Sequence, residues 1–244
     1  MPSRPSETVC ASGPELRLVL AVSLDGRLAP PSGGAAQLGG PADRRLLEEA
    51  LAWADGCLIG AETIRRHGTT CLLKEPDLLE LRRRRGRSLQ PVAVVVSRTG
   101  RLPTSLPFFR QPLERWLLLS PPTPSGVAWQ AAATPASPSD QRFHRHQVLE
   151  GWAAALQDLT QHGLQRIVVL GGSGLASSLL AEDRIDELQL TVCPLLLGGE
   201  HSWVLPSVML PAAIAPTWRL LEHRPLGRGG ELLLRYRRGE RPGG

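Results

Sequence analysis

Residues 166–181, RIVVLGGSGLASSLLA, predict a buried strand, a tight turn and the start of a helix. The β-branched run passes through only four residues before apolar residues return at helical spacing. Gly171, Gly172 and Gly174 let the backbone approach a bulky anion, and Ser173 is a favourable N-cap residue. N–H groups at such a helix start point toward a space that fits a phosphate. The spacing is not G-x-G-x-x-G, so a purely structural turn is an equal alternative.

The rest of the chain alternates apolar strands with amphipathic helices, which is typical of an α/β fold with a largely parallel sheet between two layers of helices. We expect about eight strands, the last two forming an antiparallel C-terminal hairpin. Strands are predicted at residues 16–24, 57–61, 91–97, 115–120, 166–169, 186–197, 217–222 and 231–237, and helices at residues 41–54, 62–66, 148–161 and 173–181.

Length and composition predict one globular domain. The chain has 244 residues, 42% of them hydrophobic and 21% charged, which suits a single core. We expect a disordered lead-in at residues 1–14 and a domain over residues 15–240. Residues 121–146 are rich in proline and are predicted to form a surface loop or an insertion. His144 and His146 lie there without carboxylate or thiol companions, so we expect them to be solvated rather than metal ligands.

Several classes of function are disfavoured. No apolar run approaches the roughly 20 residues that cross a bilayer, and the N-terminus has no apolar signal core, so we expect a cytoplasmic protein without membrane contact. The four cysteines form no C-x-x-C pair and are predicted to be reduced and structural. The net charge of +5 includes the arginine block at residues 82–85 and Arg87, but only 4% of residues are aromatic. We therefore expect no nucleic-acid partner.

Six segments occur in one order along the chain. They are AVSLDGR (21–27), GPADR (40–44), LIGAETI (58–64), VVSR (95–98), LGGSG (170–174), and IDEL (185–188) followed by CPLLLG (193–198). Together they resemble the C-terminal reductase domain of the bifunctional riboflavin-biosynthesis deaminase/reductase, whose fold is like that of dihydrofolate reductase. The similarity covers residues 16–237.

The resemblance implies a reductase that uses NADPH to convert the ribosyl group of 5-amino-6-(5-phosphoribosylamino)uracil to ribityl, with a small-molecule substrate, no metal and a homodimeric assembly. In such an enzyme the nicotinamide supplies the hydride while the protein holds cofactor and substrate. The zinc-deaminase signature, H-x-E with P-C-x-x-C, is absent from the sequence, so we expect only the reductase activity here.

The resemblance also implies which residues bind the cofactor. Backbone N–H groups of Gly171, Gly172, Ser173, Gly174 and Leu175 would hold its phosphates. Ala21 and Thr63 would contact it as well, although Thr63 is also explained as an ordinary helix N-cap. Ser97 and Arg98 would meet the adenosine end, where arginine can pair with a 2′-phosphate; a solvated Arg98 is the alternative.

On the substrate side, the resemblance implies catalytic roles near the nicotinamide for Ser23 and Asp25, with Asp25 also binding substrate. The alternative is that Asp25 only makes the turn with Gly26. Lys74 would replace an arginine that binds the substrate phosphate in the family.

Three departures from the family pattern lie on the substrate side. Leu170 stands where the family has a glutamate, residues 66–74 lack the family's acidic stretch, and residues 35–37 lack its Ser-x-Trp. Two alternatives therefore stay open. One is a diverged reductase of the same fold that acts on another pteridine or pyrimidine, and the other is a non-catalytic NADPH-binding module.

Overall fold

A computed structural model describes residues 13–34, 38–119, 142–206 and 217–239. These residues form strands and helices in alternation along most of the chain. The strands are β1 (Glu15–Ser23), β2 (Gly56–Gly60), β3 (Val92–Ser97), β4 (Arg115–Leu119), β5 (Arg145–Val148), β6 (Arg166–Val169), β7 (Glu187–Cys193), β8 (Trp218–Leu226) and β9 (Glu231–Arg238). The helices are α1 (Pro41–Trp53), α2 (Ala61–His67), α3 (Pro76–Arg84), α4 (Trp152–Gln161) and α5 (Ser173–Ala181).

All nine of these strands belong to one sheet, in the order β5-β4-β3-β2-β6-β1-β7-β9-β8. Each neighbouring pair from β5 to β7 is parallel. The last strand pair is antiparallel, and β9 also runs antiparallel to β7. The predicted fold class, a mostly parallel α/β sheet with an antiparallel C-terminal hairpin, is confirmed.

The sheet carries an apolar core on each face. Along β1, Leu16, Leu18, Leu20 and Val22 join one cluster with the inner faces of α4 and α5. The intervening residue Val19 packs on the opposite face, against α1. This alternation is the period of two that a strand requires, and covering both faces explains why the strands read as continuous apolar runs.

Two predictions made from the sequence are wrong near the proline-rich segment. Residues 145–148, placed in a loop or in the next helix, instead form β5, which extends the sheet beside β4. The helix predicted from Val148 begins at Trp152. Val148 is 58% exposed, because β5 is an edge strand that pairs through its backbone and needs little apolar content. Residues 120–141 and the lead-in at 1–12 lie outside the described residues.

The arginine block has a structural explanation. The Arg82 side chain is 1% exposed and donates to the carbonyl oxygens of Leu51 and Ala54 at the end of α1. Its Nε also donates to the Ser88 carbonyl oxygen at 2.6 Å. Burial lowers the pKa of Arg82 to about 10, so it stays charged at neutral pH. Arg82 thus satisfies carbonyl groups that a helix end leaves without partners.

Within the described ranges, no helix is long and apolar enough to cross a membrane.

Candidate active site

The predicted site residues gather at one edge of the sheet. Because β1, β2, β3, β6 and β7 run parallel, their carboxyl ends lie at the same edge, which is where open α/β sheets bind ligands. Ser23 ends β1, and Ser97 ends β3. Thr63 lies in the first turn of α2, directly after β2, and the glycine turn follows β6.

The glycine turn approaches α2 closely. The Leu170 N–H donates to the Leu58 carbonyl oxygen at 2.9 Å, which holds the turn beside β2. Gly171 has φ +76°, and a Cβ there would lie 2.7 Å from Leu20 Cδ2. A Cβ on Gly172 would lie 3.2 Å from Thr63 Oγ1. Glycine is therefore required at 171, and Gly172 faces Thr63 across a narrow gap.

The start of α5 is open. The expectation that Ser173 is the N-cap is wrong: Gly172 is the N-cap residue, with φ 15° and ψ 156°, Ser173 is the first helical residue, and no side chain caps the helix. The first intrahelical bond from this turn runs from the Ala176 N–H to the Gly172 carbonyl oxygen at 3.0 Å. A Cβ on Gly174 would meet nothing within 4 Å. The N–H groups of residues 173–175 thus lack helical partners, and the space beside Gly174 is open, which fits an anion.

Ser97 and Arg98 play different parts. Ser97 is 4% exposed, and its Oγ accepts a hydrogen bond from the Gly100 N–H at 3.0 Å, so its side chain shapes the turn after β3. Arg98 is exposed. Desolvation and the neighbouring charge of Arg65 lower the pKa of Arg98. Two guanidinium groups therefore lie near each other at this end of the sheet.

Asp25 fastens a second loop to the end of β1. Its Oδ1 accepts hydrogen bonds from Ser23 Oγ at 2.6 Å and from the Leu197 N–H at 3.1 Å. Its Oδ2 accepts one from the Gly198 N–H at 2.7 Å. These contacts, led by the Ser23 hydroxyl, lower the pKa of Asp25 to about 2. Asp25 is thus ionised at neutral pH and anchors the loop after β7.

Replacing Asp25 with asparagine should loosen this loop, because an amide NH2 would face a backbone N–H where a carboxylate oxygen accepts now. We expect faster amide exchange at Leu197 and Gly198, and a lower melting temperature. The carboxylate's pKa is about 2 in the folded state against an ordinary 3.8. Its stabilising effect is therefore complete above the ordinary value and is lost as the pH falls toward 2.

The melting temperatures of the Asp25→Asn variant and the wild type should accordingly converge in acid. Asp77→Asn is a matched control, since Asp77 pairs with Arg45 on the far surface. Unchanged exchange at Leu197 and Gly198 in the Asp25 variant would contradict the anchoring role.

A pocket of about 500 Å³ opens beside the end of β1. Arg44 in its wall donates to Glu48 Oε1 at 2.8 Å and to the Leu72 carbonyl oxygen at 2.7 Å. The other Glu48 oxygen accepts from the Lys74 N–H at 2.6 Å. Lys74 is exposed. Its backbone is connected to Arg44 in the pocket wall through the Glu48 carboxylate. The pocket is lined by Ala21, Leu28, Leu38, Gly39, Gly40, Pro41, Asp43 and Arg44.

Sequence reasoning missed two charged residues of this pocket, Asp43 and Arg44. Both lie in the GPADR segment that contributed to the resemblance, but no site role was predicted for them. Leu170 is partly buried and packs against the cluster of Val19, Ala50, Ala54 and Val168, so its side chain joins the apolar core. Among the described residues, no group of three His, Cys, Asp or Glu side chains is placed to hold a metal ion.

Comparison with known proteins identifies the family. A family model described as the RibD C-terminal domain matches residues 14–231. The chain belongs to the RibD C-terminal domain family. The family inferred from the sequence is therefore confirmed, and with it the assignment to the riboflavin-pathway reductases.

Members of the RibD C-terminal domain family resemble this chain over most of its length. Proteins named 2,5-diamino-6-ribosylamino-4(3H)-pyrimidinone 5′-phosphate reductase are 24% identical over 221 residues in Archaeoglobus fulgidus and 26% identical over 228 residues in Methanothermobacter thermautotrophicus. The matches cover 90% and 91% of this chain and 96% and 97% of those proteins. The structure of Acinetobacter baumannii RibD has a TM-score of 0.73 at 23% identity, covering 93% of this chain. This chain spans only 58% of that one.

Proposed function

We propose that this protein is an NADPH-dependent reductase that converts the ribosylamino group of a 5′-phosphorylated aminopyrimidine to ribitylamino. The observation that carries the proposal is the joint placement of the open α5 start and the 500 Å³ pocket at the same sheet edge. The two archaeal relatives, which match from end to end, are named for such a substrate. Their pyrimidinone differs from the uracil inferred from the sequence only in the ring.

The described residues fit a dinucleotide cofactor. Its diphosphate would lie at the start of α5, where the N–H groups of residues 173–175 are open and Gly172 leaves room beside Thr63. The helix dipole also favours negative charge there. The charge of Arg98, with that of Arg65 near enough to lower the pKa of Arg98, suits the 2′-phosphate that distinguishes NADPH from NADH.

When bound, NADPH supplies a hydride. The protein has to hold the acceptor carbon of the substrate close to the nicotinamide and keep it there. Ala21 lines the pocket at the end of β1, so we place the nicotinamide beside it. Ser23 and Asp25 then act as positioning residues that fix the loop after β7 at the site. Because Asp25 is ionised, we assign it no proton to give.

The substrate phosphate would be bound by Lys74, with Arg44 nearby in the pocket wall. Glu48 fixes the Arg44 side chain and the Lys74 backbone, since its two oxygens accept from the Arg44 guanidinium and the Lys74 N–H. Glu48 is itself 2% exposed. The exposed Lys74 side chain is therefore attached at a fixed point near Arg44, and its positive charge would suit a terminal phosphate.

A steady-state assay tests the proposal. We expect the purified protein to oxidise NADPH in the presence of the phosphoribosylaminopyrimidine and to form the ribitylamino product. Oxidation with a pteridine alone would indicate the diverged reductase. Tight NADPH binding without oxidation of any of these substrates would indicate a binding module, and either result would overturn the proposal.

Replacing Arg98 with alanine should weaken NADPH binding by about tenfold to a hundredfold, the usual loss for a hydrogen bond to a charged group. Binding of NADH, which lacks the 2′-phosphate, should hardly change. Fluorescence titration with both nucleotides measures this difference. Arg84→Ala is the control, because Arg84 is exposed on α3 and pairs with Glu80. Equal weakening of both nucleotides would argue against a 2′-phosphate contact.

We also propose a homodimer and a cytoplasmic location. The edge strand β8 supports the dimer, since Leu220 and Leu221 are 45% and 38% exposed on it. Exposed apolar residues on an edge strand favour association.

A further inference from the structure

The pocket wall contains one carboxyl group that the proposed function has not used. Asp43 lies in the first turn of α1 and lines the pocket together with Ala21. A Cβ at position 39 would collide with the Asp43 carboxyl group. Glycine at position 39 therefore provides the space that this carboxyl group occupies. Asp43 thus shares the pocket wall with Ala21, beside which we place the nicotinamide.

Polar groups from two strands lie behind Asp43. Thr191, a buried residue of β7 that is in register with Ala21 of β1, lies close enough to the Asp43 carboxyl group to lower its pKa. Glu231, at the start of β9, is close enough to act on Asp43 electrostatically. The Gly40 N–H donates to Glu231 Oε1 at 2.6 Å and holds that side chain in place.

Burial outweighs the polar contacts of this carboxyl group. Burial raises the pKa of Asp43, Thr191 and the charge of Arg44 oppose the shift, and the charge of Glu231 adds to it. The adjacent Arg44 turns its guanidinium to Glu48 and Leu72. A ligand that brings N–H groups to Asp43 would therefore supply hydrogen-bond donors to a partly buried carboxyl group.

We propose that Asp43 is a specificity-determining residue that reads the ring of the substrate, its carboxylate accepting hydrogen bonds from two adjacent N–H groups of a 2-aminopyrimidin-4-one. The inference rests on the proposed function and makes its substrate specific. A 2-amino group and the neighbouring ring N–H form two parallel donors, and a carboxylate matches them with two acceptors.

The same geometry disfavours a uracil ring. Uracil presents a carbonyl oxygen beside its ring N–H, so one carboxylate oxygen of Asp43 would face an acceptor. Unpaired or repelling groups of this kind are the contacts that discriminate most strongly between similar ligands. The preferred substrate is therefore the diaminopyrimidinone rather than the aminouracil.

Two small compounds test this without any turnover. 2-Aminopyrimidin-4-one and uracil differ at ring position 2, which carries an amino group in the first and an oxo group in the second. Neither has a 6-amino group, which beside a ring N–H would form a second pair of donors. We expect calorimetry on the full chain, saturated with NADP+, to show tighter binding of the 2-amino compound by about tenfold to a hundredfold. In Asp43→Asn the amide offers one donor and one acceptor, which matches uracil, so the preference should reverse.

Glu49→Gln is the matched control, because Glu49 lies on the exposed face of the same helix and pairs with Arg45. It should leave both affinities unchanged. Equal affinities in the wild type, an equal loss for both compounds in Asp43→Asn, or no binding of either compound would each overturn the inference. NADPH oxidation with the ribosyl phosphates but no discrimination between the rings would leave the proposed function standing alone. Discrimination between the two rings without NADPH oxidation would support the role of Asp43 and contradict the proposed function.

Discussion

Replacing Gly172 with aspartate should weaken NADPH binding by at least about a hundredfold, which corresponds to about 3 kcal/mol. Gly172 precedes the open first turn of α5, and a Cβ there already lies 3.2 Å from Thr63 Oγ1. The added carboxylate would be directed into the space assigned to the diphosphate. Two negative groups would then compete for the same N–H donors.

Titration of NADPH fluorescence measures this effect, and NADH should lose affinity equally because both nucleotides carry the diphosphate. That separates Gly172→Asp from Arg98→Ala, which should affect NADPH alone. Gly229→Asp is the control, since a Cβ at Gly229 in the distant β8–β9 hairpin meets nothing within 4 Å. An unchanged NADPH affinity in Gly172→Asp would remove the glycine turn from the site.

Replacing Arg82 with methionine should lower the free energy of unfolding by about 3 kcal/mol. Methionine fills much of the same space but cannot donate. The carbonyl oxygens of Leu51, Ala54 and Ser88 would then lose their guanidinium partner inside the protein. A buried acceptor without a donor costs about 1 to 3 kcal/mol, so the loss should be far above that of a surface substitution.

Urea denaturation followed by circular dichroism gives this free energy. The control is Arg84→Met, because Arg84 is exposed and pairs with Glu80 one helical turn away. A surface pair of that kind contributes about 0.5 kcal/mol. If both variants lost the same stability, Arg82 would not be the cap of α1 that its contacts indicate.

Most of the sheet follows from the sequence because its strands are buried on both faces. Runs such as residues 92–96 (VAVVV) cannot alternate with polar residues when helices cover each side, so their apolar content alone locates them. β5 could not be found in this way. Its sequence, RHQV, has one apolar residue, and the strand forms through backbone pairing with β4.

The glycine turn that we propose to hold the cofactor was easier to predict than the pocket that we propose to hold the substrate. A glycine turn between strand and helix has few conformations, so Gly171 and Gly172 predict the local geometry directly. The substrate pocket instead depends on pairs far apart in sequence, such as Gly40 with Glu231 and Asp43 with Thr191. No local pattern marks those pairs. Only the GPADR segment indicated that the region mattered.

Ser173 and Arg82 show two further limits of sequence patterns. Serine before a helix favours an N-cap, but Gly172 adopts the cap conformation at little cost and moves the helix start by one residue. An arginine block favours a solvated surface, yet Arg82 and Arg87 both turn to the end of α1, where they donate to the carbonyl oxygens of Ala54 and Trp53. These tertiary contacts decided the position of the two arginines, whereas a local backbone conformation decided the start of α5.

The transfer of a labelled hydride tests the central proposal most directly. The wild-type protein would be incubated with NADPH carrying deuterium at the transferable nicotinamide position and with 2,5-diamino-6-ribosylamino-4(3H)-pyrimidinone 5′-phosphate, and the product analysed by mass spectrometry. We predict a ribitylamino product that contains one deuterium atom at the former anomeric carbon. Recovery of unreduced substrate with intact NADPH, under conditions where the cofactor is bound, would contradict the account.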